Sequence, residues 1–390
     1  MISNKNKKIF ILLNISHSCN MGCKYCYYRN EMNEKPGIMG TEILNVIMQK
    51  AAESNFEEFE FISHGGEPLT RDNSFFHKLI AIQKKYLNDR ICSNSIQTNG
   101  TLLTKDSIQM LKEYNYKVSI SLDGPQIIHD NYRTYKNNKG TYDDIIRNID
   151  FLVESGIEYG LLSVCNNETH IHMDEYYLLL KSLKNLKGLD IMEEQTSEAL
   201  PSLLQGNFSK MIISLFDKWF YDVDCFFDVR FLSSIVSSIL FSKPLTCSLM
   251  ENCFQNCTMV SISPEGDISP CDSNPNINLG NIKNNSLEDL IFQNLTRKIY
   301  SKKEQQRLEK CLFCEWYKFC KGGCPSLTSN EGINIYCEDY KNIFSYISNS
   351  LKKLGITRGG SLDCNSLNNI PNQILKEKMS AIYYNIHNVC

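Results

Sequence analysis

Residues 19–26 of the chain read CNMGCKYC, so that three cysteines follow one another with the spacing C-x3-C-x2-C. The motif comes shortly after an apolar segment, residues 8–13, that is typical of a buried β-strand. In folds built from parallel strands, a loop at the carboxyl end of a strand is where the chemistry is carried out. We therefore expect Cys19, Cys23 and Cys26 to converge on one metal centre.

The segments that follow the cysteine motif alternate between short apolar runs and longer helical patterns up to residue 200. Such alternation predicts parallel strands joined by right-handed crossovers, which is the α/β class with a partial (β/α)6 barrel of the TIM type. The predicted strands are 8–13, 58–63, 95–98, 117–122, 160–164 and 188–192, and the predicted helices lie near 40–53, 73–88, 104–115, 141–155 and 171–186.

The composition of the chain excludes several classes of function. It has 390 residues, of which 42% are hydrophobic and 22% charged, with a formal net charge of -3. That charge gives no broad basic surface for nucleic acid. No apolar run approaches the roughly 18 residues of a membrane span, and the N-terminus lacks a signal-peptide pattern. We expect a cytoplasmic protein with no nucleic-acid or membrane partner.

A second group of cysteines marks the C-terminal part of the chain. Nine of the 17 cysteines lie between Cys247 and Cys337. In a reducing compartment such cysteines are metal ligands more often than disulfides. We predict four parts: a barrel at 1–200, a helical bridge at 201–245 that is mostly core, an irregular cysteine-rich domain at 246–340 stabilised by metal, and a helical tail at 341–390. The tail is predicted to hold helices at 340–354 and near 371–386.

The motif at 19–26 resembles the signature of radical S-adenosylmethionine (AdoMet) enzymes. The resemblance implies that Cys19, Cys23 and Cys26 hold a [4Fe–4S] cluster with one iron open for AdoMet. It further implies that reductive cleavage of AdoMet yields a 5′-deoxyadenosyl radical, which abstracts a hydrogen atom. The alternative is a zinc site with His17 as the fourth ligand.

The segment Gly65-Gly66-Glu67-Pro68 ends the second predicted strand. Paired glycines let a backbone approach a ligand closely. The segment resembles the family's motif for the AdoMet amino group, and Glu67 is expected to accept a hydrogen bond from that ammonium. Tyr25 resembles the aromatic residue that packs near the adenine, and its alternative is a core aromatic.

Three further polar residues resemble the family's remaining AdoMet contacts. Asn99 and Ser121 stand at the next two strand ends. The guanidinium of Arg133 suits the AdoMet carboxylate as a bidentate partner. Ordinary alternatives are an Asn-Gly turn for Asn99 and an ion pair with Asp130 for Arg133.

The second group of cysteines resembles the SPASM domain, whose seven-cysteine motif implies two auxiliary [4Fe–4S] clusters and thus three clusters in all. Cys253, Cys271 and Cys324 are given to the nearer cluster, and its fourth ligand is Cys247, preferred, or Cys257. The outer cluster takes Cys311, Cys314, Cys320 and Cys337. A pair of zinc ribbons is the alternative. Asp272 is a candidate general base, or else a turn residue.

These resemblances predict a maturase that forms an oxidative cross-link, a thioether or a C–C cyclophane, in a ribosomally made peptide. The cysteine-rich segment 311–320 favours a cross-linking maturase over the alternative, an anaerobic sulfatase-maturating enzyme that makes formylglycine. In those maturases a Gln usually stands where this chain has His64. A non-enzymatic electron-transfer or zinc scaffold protein is the remaining alternative. Expected partners are a peptide or protein substrate, a reductant such as flavodoxin or ferredoxin, and possibly a separate leader-binding protein.

Overall fold

A computed structural model describes residues 7–26, 28, 37–194 and 203–354. The helix predicted near 371–386 lies outside these residues. The described chain divides into two compact units. The first draws on Met1–Leu122, His129–Leu161 and Phe254–Lys303, and the second on Asp123–Ile128, Leu162–Cys253 and Glu304–Cys390.

The strands are short and regularly spaced. They are β1 (Lys8–Ser16), β2 (Glu58–Gly65), β3 (Ile91–Thr98), β4 (Lys117–Ser121), β5 (Tyr159–Cys165), β6 (Leu186–Glu193), β7 (Asp228–Val229), β8 (Met259–Ile262), β9 (Asp267–Ser269) and β10 (Gly280–Asn281). Strands β1 to β4 pair in parallel in chain order. On the other side of β1, β8 also pairs in parallel and is followed by antiparallel β9 and β10. In the second unit, β6 pairs in parallel with β7.

Helices separate the first six strands, as the sequence predicts. The α-helices are α1 (Thr41–Ala52), α2 (Asn73–Tyr86), α3 (Lys105–Glu113), α4 (Gln126–Tyr132), α5 (Tyr142–Glu154), α6 (Met173–Ser182), α7 (Asn207–Tyr221), α8 (Arg230–Phe241), α9 (Cys253–Asn256), α10 (Leu295–Leu308), α11 (Tyr317–Cys320) and α12 (Cys337–Lys353). The α/β class, the cysteine-rich region and the following helix are therefore confirmed. No helix in the described part of the chain has the length and hydropathy that crossing a bilayer requires.

Burial explains why the first strand reads as an uninterrupted apolar run. Ile9, Ile11, Leu13 and Ile15 are fully buried, and Leu12, which points to the opposite face, is 4% exposed. A parallel strand that is covered on both faces must be apolar at successive positions, and β1 pairs on both edges as well. Its carboxyl end is thus held rigidly where the cysteine loop begins.

The aromatic segment after residue 200 forms helices α7 and α8. Phe216, Trp219, Phe220 and Phe227 are buried as predicted, whereas Phe226 is half exposed. Phe216 and Phe220 stack with their ring centroids 4.7 Å apart. Four of these five aromatic residues are therefore core, whereas other side chains of the segment, among them Tyr221, are exposed.

Candidate active site

The cysteine loop is held by backbone hydrogen bonds to the segment after α4. Gly22 N donates to Thr134 O at 2.8 Å, and Lys24 N donates to Tyr132 O at 2.9 Å. Together with an isolated antiparallel bridge between Met21 and Tyr135, these bonds attach the loop to the end of α4 and the residues that follow it. Cys19, Cys23 and Cys26 are all partly buried.

The three thiols stand close enough to influence one another. Burial raises the pKa of the Cys19 thiol to about 12, and the charges of Glu67, Cys23 and Cys26 act in the same direction. A buried thiol becomes a thiolate when a cation compensates its charge. Three sulfur donors on one loop thus fit an iron–sulfur cluster, which is held by cysteine thiolates.

No group of three His, Cys, Asp or Glu side chains within the described ranges has the geometry for a single metal ion. Iron–sulfur clusters contain several irons joined by sulfide, so their ligating sulfurs stand further apart than the ligands of one ion.

Glu67 joins the ends of β2 and β3. Its carboxylate is fully buried and accepts hydrogen bonds from Leu69 N at 2.9 Å, Thr98 Oγ1 at 2.7 Å and Asn99 N at 2.6 Å. Burial raises the pKa of Glu67 to about 7 in spite of these bonds. Glu67 is expected to accept from the AdoMet ammonium, and in the structure its oxygens also accept from three donors of the protein itself.

The two glycines before Glu67 bring β2 against the start of the cysteine loop. Gly66 N donates to Ser16 O at 2.8 Å, and Glu67 N donates to Ser18 O at 2.9 Å. A Cβ atom on Gly65, whose φ is +122°, would lie 2.4 Å from Ser16 O. Both the backbone conformation and the close approach therefore require glycine at position 65.

We expect Gly65→Ala to lower the free energy of unfolding of the reconstituted protein by roughly 1–3 kcal/mol, because it adds a clash to a strained backbone. Urea unfolding followed by circular dichroism measures the loss. Gly156→Ala is the matched control, since Gly156 also has a positive φ but nothing lies within 4 Å of its added Cβ. Equal losses in the two variants would show that the close approach to Ser16 has no energetic consequence.

Asn99 and Ser121 stand at the carboxyl ends of β3 and β4. The Asn99 amide donates to Asn20 Oδ1 at 2.9 Å and to Cys19 Sγ at 3.8 Å. Ser121 is buried, and its hydroxyl accepts from Gln97 Nε2 at 3.1 Å. Asn99 thus connects a strand end directly to the cysteine loop.

Arg133 lies just beyond α4, and its guanidinium carbon is 5.3 Å from the centroid of the Tyr25 ring. The side chain is 7% exposed, so its charge is largely removed from water. Asp130, the partner considered for an ion pair, accepts hydrogen bonds from Thr141 N at 2.8 Å and Tyr142 N at 2.9 Å, which caps α5. The structure therefore brings together the aromatic and the cationic residues that were proposed for AdoMet.

Asp272 lies close to His64 at the end of β2. Burial lowers the pKa of His64, and the nearby Asp272 carboxylate opposes that shift. Asp272 Oδ1 accepts from its neighbour Ser273 N at 3.0 Å. Both residues were named from the sequence. Their proximity was not predicted, because no local pattern connects positions 64 and 272.

The four cysteines assigned to the outer cluster line one cavity in the second unit. Its volume is about 130 Å³, and Trp316 and Tyr340 also line it. Burial raises the pKa of Cys320 to about 11, and Cys314, Cys311 and Cys337 add to the shift. A cavity lined by four mutually close thiols fits a [4Fe–4S] cluster.

Four other cysteines of the second group are divided between the two units. Cys247 is exposed in a short 3-10 turn, and Cys253 opens α9. Cys271 accepts a hydrogen bond from Asn274 Nδ2 at 3.3 Å, and the carbonyl of Cys257 accepts from Arg297. The assignment of Cys247 rather than Cys257 to the nearer cluster stays a prediction, and so do the three boundaries between the four predicted parts.

Comparisons with known proteins identify two domain families in the chain. The radical SAM superfamily matches residues 13–180, and the SPASM iron-sulfur cluster-binding domain matches residues 253–315. The cysteine-type anaerobic sulfatase-maturating enzyme of Clostridium novyi (strain NT) is 31% identical over 348 residues, which are 84% of this chain and 92% of that protein.

Further matches lead to the same group. The serine-type anaerobic sulfatase-maturating enzyme of Bacteroides thetaiotaomicron is 28% identical and covers 88% of this chain and 90% of its own length. The solved structure of native anSMEcpe with bound AdoMet is 26% identical, has a TM-score of 0.80, and covers 89% of this chain and 98% of that one. The same protein has been solved with AdoMet and a Cp18Cys peptide, at a TM-score of 0.78.

Proposed function

The chain belongs to the radical SAM superfamily, in the group that carries a C-terminal SPASM domain, and we propose that it oxidises a cysteine or serine side chain of a protein substrate to formylglycine. It is an AdoMet-dependent enzyme with [4Fe–4S] clusters. The observation that carries the proposal is the likeness to a cysteine-type sulfatase-maturating enzyme along 92% of that protein's length. The relatives thus favour sulfatase maturation, which the sequence left as the alternative, over the predicted peptide cross-linking.

Side chains at the strand ends of the first unit hold the cofactors in this proposal. Cys19, Cys23 and Cys26 ligate the AdoMet cluster. When bound there, AdoMet supplies a 5′-deoxyadenosyl radical that takes a hydrogen atom from the substrate. The cluster in the second unit is ligated by the four cysteines of the cavity.

The AdoMet molecule itself is held by residues that surround the cysteine loop. Tyr25 packs on the adenine, and Arg133 pairs with the carboxylate. Asn99 and Ser121 donate hydrogen bonds, while the backbone at Gly65 and Gly66 receives the ammonium end. Glu67 acts by tying β2 to β3, since its carboxylate is fully buried.

Asp272 is the base in the oxidation. The substrate carbon loses one hydrogen atom to the radical, the attached thiol or hydroxyl loses a proton to Asp272, and one electron leaves to an external one-electron acceptor. A serine then becomes the aldehyde directly, whereas a cysteine becomes a thioaldehyde that water hydrolyses to the aldehyde with release of hydrogen sulfide. The imidazole of His64 lies beside the Asp272 carboxylate. The flavodoxin or ferredoxin that reduces the AdoMet cluster, a separate leader-binding protein and a cytoplasmic setting remain part of the proposal.

Trapping the aldehyde product tests the function. The reconstituted enzyme, AdoMet and dithionite are incubated without oxygen with a sulfatase-derived peptide that carries the target cysteine. We expect a product that reacts with an aminooxy probe, and none from the matched peptide with alanine at the target. Formylglycine made from cysteine has lost two hydrogens and exchanged its sulfur for oxygen, whereas a cross-linked peptide has lost two hydrogens only and has no aldehyde. A probe-negative product lighter by two hydrogens would contradict the proposal and restore the cross-linking alternative.

Removing the guanidinium tests the AdoMet site. We expect Arg133→Met to weaken AdoMet binding roughly 10- to 100-fold, because a charge-assisted hydrogen-bond pair contributes about 1.5–3 kcal/mol. Equilibrium dialysis with the cluster-loaded protein measures the affinity, and the iron content shows that the cluster is intact. Arg147→Gln, on the exposed face of α5, is the control and should bind AdoMet normally. Unchanged affinity in Arg133→Met would remove this residue from the site.

A further inference from the structure

A chain of buried hydrogen bonds holds the backbone of Arg133 on both sides. The N–H of Arg133 donates to His129 O at 2.8 Å, which closes the last turn of α4. The carbonyl of Arg133 accepts from Thr141 Oγ1 at 2.8 Å, and Thr141 Oγ1 lies 3.0 Å from Nε2 of the His129 ring. Both backbone groups of Arg133 therefore lead to His129, once directly and once through Thr141.

The direction of these bonds follows from the chemistry of the groups. Thr141 has one hydroxyl hydrogen, and a carbonyl oxygen can only accept, so that hydrogen goes to Arg133 O. The ring nitrogen Nε2 of His129 is then the donor to Thr141 Oγ1. The side chains of His129 and Thr141 are both 0% exposed. Water does not readily replace a bond lost at such a depth, and an unpaired buried polar group is costly.

The segment that carries Arg133 also holds the cysteine loop. The carbonyls of the two residues that flank Arg133 accept hydrogen bonds from this loop, from Gly22 N at 2.8 Å and from Lys24 N at 2.9 Å. An antiparallel bridge between Thr134 and Gly140 then returns the chain to the buried threonine. Holding the backbone of Arg133 therefore also holds it relative to the loop of the three thiols.

Asp130 fixes the buried threonine from its backbone side. Asp130 Oδ1 accepts from Thr141 N at 2.8 Å and from Tyr142 N at 2.9 Å. A Cβ atom on Gly140 would clash with the carboxyl group of Asp130, so glycine is what allows this close approach. The amide and the hydroxyl of Thr141 are thus both engaged, which keeps the hydroxyl on the Arg133 carbonyl.

We infer that His129 and Thr141 are positioning residues for AdoMet binding, because they hold the backbone of Arg133 where its guanidinium meets the AdoMet carboxylate. Binding costs less when a flexible side chain starts from a backbone that is already fixed. A buried polar network whose members are all satisfied also selects one backbone conformation. This inference rests on the proposed function in one point, the pairing of Arg133 with AdoMet.

A double-mutant cycle on AdoMet affinity tests the inference. Thr141→Val keeps the shape of the side chain and removes the hydroxyl. We expect it to weaken AdoMet binding by the cluster-loaded protein roughly 2- to 10-fold, which is about the value of one hydrogen bond. Thr141→Ser, which keeps the hydroxyl, should bind like the parent. In the Arg133→Met background, Thr141→Val should cause no further loss, because the residue through which it acts is gone.

Thr258→Val is the matched control. Thr258 Oγ1 also donates to a backbone carbonyl at 2.8 Å, that of Lys8, which begins β1 at the end opposite to the cysteine loop. This variant should keep the parental affinity. Equilibrium dialysis measures the affinity, and iron analysis and urea unfolding accompany each variant. If Thr141→Val lost stability but bound AdoMet normally, the hydrogen bonds would only stabilise the fold and the inference would be wrong.

A second variant covers the case in which Thr141→Val loses iron. His129→Phe removes the ring donor and keeps the bond between Thr141 and Arg133. It should also weaken AdoMet binding, and His129→Gln, whose amide can donate from a similar position, should restore it. Loss of iron in both Thr141→Val and His129→Phe, or an equal effect of Thr141→Val with and without Arg133, would overturn the inference alone. Unchanged affinity in Arg133→Met would overturn the proposed contact of Arg133 with AdoMet, and the inference with it.

Discussion

Cys23→Ala should abolish the formation of 5′-deoxyadenosine from AdoMet and remove about one third of the iron, since one of three clusters loses a ligand. The expected loss is large because the cysteine loop supplies three donors and each is needed. Cys23 and Cys26 lie close enough to Cys19 to act on its charge, so the three thiols form one site. Chromatography of the reaction mixture after anaerobic reconstitution and dithionite reduction measures the nucleoside.

Cys92→Ala is the matched control for this variant. Cys92 is a partly buried cysteine on β3 whose pKa is raised to about 11 by burial alone. It should keep both full iron and full AdoMet cleavage. If Cys23→Ala cleaved AdoMet normally, or if the parent protein bound zinc in place of iron, the radical chemistry assigned to this loop would be wrong.

The parallel strands were predictable because burial leaves a direct trace in the sequence. Strand β1 is apolar at successive positions, and β2 alternates buried Phe59 and Phe61 with Glu58 and Glu60. The amphipathic face of α5 follows from Ile145, Ile149 and Leu152, all buried. For these elements the pattern of hydrophobic residues and the pattern of burial coincide.

Helix α10 was missed for a physical reason. Its buried positions include Arg297, Glu304 and Arg307, which are charged residues that periodicity assigns to the solvent side. Their burial depends on partners elsewhere in the chain: Arg297 Nε donates to Phe254 O at 2.7 Å, and Arg307 to Gly322 O at 3.0 Å. Such long-range hydrogen bonds leave no local signal in the sequence.

The candidate site shows the same division between local and long-range information. Motifs located the cysteine loop and the strand-end residues, because each follows a recognisable strand. The proximity of His64 to Asp272 depends on the distant segment that joins the sheet at β1, where Asn14 Nδ2 donates to Ser261 Oγ at 3.1 Å. Likewise, two of the three internal partners of Glu67 come from the end of β3, more than thirty residues away.

Asp272→Asn should separate AdoMet cleavage from product formation. Asparagine fills the same space but cannot take a proton, and general-base catalysis typically contributes about 10²- to 10⁴-fold. We therefore expect formation of the aldehyde to fall by at least about 100-fold, while 5′-deoxyadenosine is still released. Measuring both products in the same reaction gives their ratio, which is near one in the parent if the two are coupled.

The control for this variant is Asp267→Asn, on the preceding strand β9. Asp267 is exposed and accepts from Asn281 Nδ2 at 2.9 Å, so its loss should leave both products at parental levels. Iron content must be equal in all three proteins, because Asp272 follows Cys271, which is proposed as a cluster ligand. An Asp272→Asn enzyme that forms aldehyde at the parental rate would transfer the role of base to another group, and His64 is then the side chain to change next, because it lies beside that carboxylate.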